Sequence, residues 1–247
     1  MAEKTVHAVV LRRRDAGESD RRLTLLTEEH GVLDAIAKGS RKGGSRLSGS
    51  TEPLSASILQ LTAGKRADFV TQAQPISSFP GLRTDYERLT YGLALAELAA
   101  TVLPHEQPAP DEFRFLVHAL HDLELHPRPL VVLVWAELRL MEMAGFAPLF
   151  AECAITEVGV QEALPFLSPM AGGYVSMPRA LEFGDRYQTR AEVLYGLAAT
   201  QLLDSPPPNL KFSDEALRAL YPFWRHIADR PLPANEAVLA HAQIEGL

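Results

Sequence analysis

Nine consecutive residues, Lys38-Gly-Ser-Arg41-Lys42-Gly-Gly-Ser-Arg46, carry four positive charges and no negative one. Glycine and serine between the cations offer backbone N–H groups without bulk, so such a loop can follow a phosphate backbone closely. Arg12, Arg13, Arg14, Arg21 and Arg22 precede it, and Lys65-Arg66 follow it. Together these eleven residues are the candidate nucleic-acid contacts. The bland alternative is a solvated basic loop. Neutralising about four phosphates of a single strand would give a salt slope of roughly −0.7 × 4, about −3. Binding of that kind is strongly salt-dependent and carries little sequence information.

Other chemistry is thinly represented. There is no G-x-S-x-G elbow, no GxxxxGK[ST] phosphate loop and no GxGxxG fingerprint. The glycines of Gly39–Gly44 have the wrong spacing for a phosphate loop. The single cysteine, Cys153, excludes an internal disulfide and any Cys-based zinc or iron–sulfur site built by one chain. It is a nucleophile only by elimination, and a structural thiol is the plainer reading. His118 and His121 stand three residues apart with Glu124 and His126 nearby, but three histidines at a polar helix end also describe a solvated face. Glu28-Glu29 falls at a turn. No catalytic site, cofactor or metal is expected.

The elements that must position the cations change character near residue 80. Before it, period-two alternation bounded by turn residues marks strands. Val6, Ala8 and Val10 share a face and lead into Arg12–Arg14. Leu23 and Leu25 alternate with Arg22 and Thr24. Leu33, Ala35 and Ala37 oppose Val32, Asp34 and Ile36, and Leu59 and Leu61 alternate with Ile58 and Gln60. A fifth strand is expected around Asp68–Gln74. Five short strands in so few residues suit a small barrel, which has no open edges. Small barrels that bind single strands usually stack bases on aromatics, yet residues 1–78 contain one aromatic, Phe69. Backbone electrostatics should therefore lead, with duplex tolerated.

From Tyr86 the period becomes 3.6. Leu89, Leu93, Ala96 and Ala100 mark one helix. Phe113, Leu116, Leu120 and Leu123 mark a second, and Leu130, Val134, Leu138 and Met141 a third closed by Gly145. Residues 147–188 read as irregular. Thr189 with Glu192 predicts a capping box for a helix through about Leu203. Ser213 is expected to cap a last substantial helix through Ile227, disturbed by Pro222. The expected division is residues 1–80 and 81–247.

The whole chain, 247 residues with 47% hydrophobic and 22% charged side chains, has the balance of a folded protein and a net charge of −7. That acidic total speaks against a polyanion partner only until it is divided. Residues 1–80 carry +3 and residues 81–247 carry −10. Leu130–Phe146, the most apolar stretch, is broken by Glu137, Arg139 and Glu142, short of the ~18–20 uncharged residues of a membrane span. The N-terminus lacks a secretory pattern. A soluble, cytoplasmic protein is expected, with no membrane partner.

The stretch VVLRRRDAGESDRRLTLLTEEHGVLDAIAKGSRKGGSRLSGSTEPL resembles the N-terminal pattern of the bacterial recombination mediator family RecO. It has an Arg-bearing first strand, E-S-D before the second, T-x-E-H-G, then A-K-G-x-R-K and a following Arg. QPISSFPGLRTDYERLTYG, WAELRLMEMAGFAP and Arg230-Pro231-Leu232 are similar to later parts of the family. The resemblance implies an α+β chain, with an N-terminal OB-fold β-barrel followed by an all-α helical domain. It implies binding of single- and double-stranded DNA at the bacterial nucleoid and annealing of complementary strands. It also implies assistance to the recombinase RecA on DNA coated by single-stranded DNA-binding protein (SSB), together with RecR. The helical domain would receive the acidic, Phe-ended tail of SSB, with Arg128 and Arg139 best placed by pattern to meet it.

One departure is clear. Many family members have two C-x-x-C pairs binding zinc after the central helix. Here Cys153 matches the first ligand, while Thr156, Ser176 and Arg179 stand at the other three. Zinc needs thiolate or imidazole, so the segment is expected to be a degenerate, metal-free zinc module. A second class of function stays open: a protein-interaction adaptor whose acidic helical domain acts without direct DNA binding.

Overall fold

In the computed structural model, which describes residues 3–65, 67–228 and 230–244, the alternating segments form five strands. They are β1 (Glu3–Ala16), β2 (Asp20–Thr27), β3 (Gly31–Ala37), β4 (Ala56–Thr62) and β5 (Asp68–Ser77). The strands close in the order β1-β2-β3-β5-β4, with β4 pairing back onto β1 and β3 running parallel to β5. This is the five-stranded order of an OB fold. Val6, Val10, Leu23, Leu25, Leu59 and Leu61 are among the side chains that fill the interior, on the faces that the alternation predicts.

The alternation breaks at one place that matters. Val10 pairs with Leu25 and Arg12 with Thr24, so Leu11 is an extra residue, a β-bulge. Strict alternation from Val10 would have carried Arg12 and Arg14 onto the core side. The bulge reverses the parity and turns both outward.

Three helices follow: α1 (Pro80–Thr84), α2 (Tyr86–Val102) and α3 (Pro110–Leu125). The Asp85 side chain accepts from the Arg88 N–H at 3.1 Å and caps α2. The segment after α2 packs against the β2–β3 turn, where the Val32 N–H donates to Pro104 O at 2.8 Å. Gly31, at φ +61°, leaves the room for this, since a Cβ there would lie 2.4 Å from Pro104 O. The change from strand to helix falls where the sequence places it. The compact units divide later, into Met1–Leu125 and His126–Leu247, so these three helices belong with the barrel. A helix period says which face is apolar, not which neighbour that face covers.

In the second unit α4 (Pro129–Met143) is buried on nearly every side from Val131 to Met141. Gly145, at φ +77°, ends it as expected, with the Phe146 N–H donating to Met141 O at 2.8 Å. The stretch expected to be irregular contains a small antiparallel sheet of β6 (Phe166–Ser168), β7 (Gly173–Val175) and β8 (Tyr187–Gln188), in the order β7-β6-β8. Strands this short show no alternation to read.

The remaining helices are α5 (Ala191–Gln201), α6 (Ser213–Ile227) and α7 (Pro233–Ile244). Arg190, without a side-chain cap bond, precedes α5, so the predicted Thr189 capping box does not form, and Phe212 precedes α6, so Ser213 is its first helical residue and not its cap. Thr189 instead donates its N–H to Pro165 O. The helix expected to be the last substantial one ends at Ile227, yet α7 follows it, opened by Pro233 at its first position. Among the described residues no helix is long and apolar enough to cross a membrane.

Candidate nucleic-acid interface

The basic loop after β3 is built onto the β1–β2 turn. The Gly39 N–H donates to Asp20 Oδ1 at 2.8 Å, the Arg41 N–H to Ser19 O at 2.9 Å, and the Arg41 guanidinium to Gly17 O at 3.3 Å. The Gly39 N–H is the main cause that holds the Asp20 carboxyl below the usual range, with help from Ser19, Lys38 and Lys42. Lys38, Arg41, Lys42, Gly43, Gly44 and Arg46 are all exposed. Open space surrounds Gly43 and Gly44, which leaves the loop tip free for close approach by another backbone.

Below the loop the strand registers align a row across the outer face of the barrel. Arg14 pairs with Arg22, Arg22 with Ile36 and Ile36 with Phe69. At ~4.8 Å between strands the row is about 14 Å long. Like charges directly opposite each other destabilise a sheet by a few tenths of a kcal/mol to about 1 kcal/mol. Asp34 relieves part of this by pairing with Arg22 at 2.8 Å. Arg14 has no ion pair among the described residues. An anion laid along the row would relieve the rest.

Nine of the eleven candidates therefore separate into two groups. Arg12 turns to Glu97 on α2, 3.6 Å away and almost fully buried. Arg13 and Arg21 both reach Glu52, at 2.6 and 3.0 Å. Arg21 also donates to Ser48 O at 3.0 Å and Thr51 Oγ1 at 2.7 Å, so these two arginines hold the later half of the β3–β4 connection against the barrel end. Arg14 and Arg22 sit side by side on the outer face, and Lys38, Arg41, Lys42 and Arg46 are exposed on the loop anchored to the turn between those strands, with Arg41 3.4 Å from Asp15. Lys65 is exposed on the β4–β5 turn, and Arg66 lies outside the described residues. Sequence reasoning could not separate an arginine that fastens a loop from one that meets solvent, because the two kinds are chain neighbours, Arg13 beside Arg14 and Arg21 beside Arg22.

Asp20→Asn keeps an acceptor for the Gly39 N–H while removing the charge beside Lys38 and Lys42. Single-strand affinity is expected to rise, by at most about fivefold at about 0.1 M salt, the worth of one effective phosphate contact. Anisotropy titrations measure it; a fall would show that the charge itself is needed to hold the loop.

Metal-ligand types gather at one place among the described residues, where His7, Glu28 and Glu29 bring their ligand atoms within 4.8 Å of one another. The Glu29 carboxylate is already engaged there. It accepts from the His7 N–H at 3.0 and 3.1 Å and meets His7 Nδ1 at 2.9 Å, fastening the β2–β3 turn to β1. His118 and His121 are exposed on α3, and Glu124 accepts from the Gly81 N–H at 2.6 Å.

In the second unit Cys153 stays with the residues at two of the other three expected ligand positions. Cys153 Sγ accepts from the Ser176 N–H at 3.3 Å and the Ser176 hydroxyl at 3.4 Å, and Thr156 Oγ1 lies 3.2 Å from Ser176 Oγ. Arg179 turns away to Glu182 at 2.7 Å. Burial pushes the Cys153 thiol up, but hydrogen bonds from Ser176, Thr156 and Ile155 outweigh it and bring the group down to about 6. One thiolate and two hydroxyls do not make a zinc site; here a hydrogen-bonded cluster closes the turn.

Arg128 donates to Asn209 Oδ1, and Arg139 pairs with Glu142 one turn on. Eleven residues apart on or beside one helix, the two are about 16 Å apart along its axis and do not form one site. A cleft of about 330 Å³ lies elsewhere in the unit, lined by Leu164, Tyr187, Arg190, Glu215, Arg218 and Ala219 among others.

Comparison with known proteins settles the family. Residues 1–79 match the family described as "Recombination protein O N terminal", and residues 83–235 match "Recombination protein O C terminal". The chain belongs to the RecO family. A protein of Heliobacterium modesticaldum named "DNA repair protein RecO" is 41% identical over 172 residues, covering 68% of this chain and 62% of that protein. Its namesake in Dehalococcoides mccartyi is 33% identical over 168 residues, covering 68% and 66%. That of Bifidobacterium animalis subsp. lactis is 39% identical over 169 residues, covering 67% and 70%. The chain thus spans a little under two thirds of the length of the first two relatives. The boundary between the two family matches coincides with the change from strand to helix, and both cation groups of the barrel fall within the first.

Proposed function

We propose that this RecO-family chain is a non-enzymatic mediator in DNA repair and recombination. Its barrel binds single- and double-stranded DNA through the phosphate backbone and anneals complementary strands. With RecR it assists the loading of RecA onto DNA coated by SSB. The observation that carries this reading is the pairing of Arg14 with Arg22 on the outer face of an OB-type barrel, next to an anchored loop on which Lys38, Arg41, Lys42 and Arg46 are all exposed. Family membership supports the repair and recombination role. Annealing follows from electrostatics, since cations on the barrel lower the repulsion between two phosphate backbones while their bases search for register.

For the SSB tail, which is acidic and ends in Phe, the cleft lined by Arg190, Arg218, Leu164 and Tyr187 is the better receptor. It combines Arg218 and Arg190, the latter paired with Glu215 at 3.0 Å, with apolar lining, whereas Arg128 and Arg139 lie about three turns apart.

Annealing of complementary strands coated by SSB tests the whole reading. The chain should accelerate pairing when SSB carries its tail, and less when the tail is removed. The net charge of −10 on residues 81–247 favours a second reading, an adaptor that meets proteins only. An adaptor would leave the annealing of bare strands at its spontaneous rate.

A further inference from the structure

The outer-face row ends on the barrel's one aromatic, Phe69, which is half-buried beside the half-buried Ile36. The ring is seated on the β4–β5 turn. A Cβ on Gly64 would lie 2.7 Å from Phe69 Cε2, so the turn passes this closely because residue 64 has no side chain. From the loop side, Lys38 Nζ stands 4.4 Å from the ring centroid. Lys38 is exposed and has no ion pair among the described residues. An ammonium over phenylalanine at an exposed site is weakly held, and a nucleobase stacked on an aromatic ring is held more strongly. The cations that would take the neighbouring phosphates are already in place, with Arg22 two strands away along the row and Lys42 on the same loop as Lys38.

We propose that Phe69 is a stacking platform for one unpaired nucleobase, covered in the free protein by Lys38, and that it gives the basic face a preference for single strands. The inference rests on the reading of this face as a DNA site. When a base enters, the Lys38 ammonium leaves the ring and meets a phosphate, so one side chain serves both states. Bases of a duplex are already stacked on their neighbours and cannot reach the ring without being unstacked. The duplex therefore meets the cations alone.

The test uses the full chain and three labelled probes of equal length: oligo(dT), an abasic strand and a duplex. The unmodified protein should bind oligo(dT) more tightly than the abasic strand at the same salt. Phe69→Leu should weaken oligo(dT) binding by roughly tenfold while leaving the abasic strand and the duplex unchanged. Phe69→Trp should keep the preference, and it tests the idea independently should the Leu variant melt early by circular dichroism.

Equal affinity of the unmodified protein for oligo(dT) and the abasic strand would overturn the proposal while leaving the DNA site standing. So would equal weakening on all three probes in Phe69→Leu, which would mean that the ring only props the loop. Failure of the unmodified protein to bind any of the three would overturn both this proposal and the reading it rests on.

Discussion

Replacement of Lys38, Arg41, Lys42 and Arg46 by glutamate is expected to abolish DNA binding at moderate salt. Four phosphate contacts on a single strand correspond to a slope of about −2.8 in log affinity against log salt. Over the range from about 50 to 200 mM the unmodified protein should lose roughly 50-fold in affinity. Relative to about 1 M salt, where the electrostatic contribution has vanished, the same slope gives roughly 600-fold at about 0.1 M. Removing the four cations forfeits that factor, and reversing them adds repulsion. Of the four, Arg41 reaches Gly17 O and Asp15 and Lys38 covers Phe69, all at the surface, whereas Arg13 and Arg21 fasten the later half of the connection through Glu52. The variant should therefore melt like the parent. Anisotropy with labelled single strand across a salt series is the measurement, and unchanged affinity with an unchanged slope would sink the DNA reading of the loop.

The second large effect is on stability. Glu137 lies on α4, 1% exposed, and its carboxylate accepts from Trp224 Nε1 on α6 at 2.8 Å. Burial, only partly countered by the Trp224 hydrogen bond, pushes its carboxyl from 4.5 up to about 8. The folded protein thus holds this proton where the unfolded chain has lost it. Stability contributed by the protonated group is fully present below about 4.5 and falls as the pH rises towards 8.

At 1.36 kcal/mol per unit, ionisation in the unfolded chain alone favours unfolding by roughly 3 kcal/mol at about pH 7. Glu137→Gln keeps an acceptor for the indole and removes the titration. It is expected to be more stable than the parent by an amount that grows with pH, from nearly nothing at about pH 5 to a few kcal/mol at about pH 8. Cys153 has the opposite sign, since its lowered thiol adds stability as the pH rises through about 6. Comparing the two proteins at each pH cancels that contribution. Melting curves that run parallel from pH 5 to 8 would show that Glu137 is ionised in the folded state.

Much of the architecture is legible in the residues. Alternation at Val6-Ala8-Val10, Leu23-Leu25 and Leu59-Leu61 identifies the core face of three strands without reference to any neighbour, because a strand shows every second side chain to one side. The helical period and Gly145 place α4 and its end. At the four positions where the family resemblance implies zinc ligands, Cys153, Thr156, Ser176 and Arg179 offer one thiol and no imidazole. The concentration of positive charge in residues 38–46 is likewise a property of the chain.

What the chain alone left open is which cations share a surface. The bulge at Leu11 decides that Arg12 and Arg14 point outward. The position of α2 then takes Arg12 to Glu97, while Arg14 stays with Arg22. Glu52 claims Arg13 and Arg21 from a distance in sequence that no local pattern encodes. The parallel pairing of β3 with β5 brings Phe69 beneath Lys38. The sequence by itself determined charge, periodicity and the missing ligands, because these are carried by each residue and its near neighbours. Only the tertiary structure decided which arginines are fasteners and which are free to meet phosphate, because that depends on partners brought together by barrel closure.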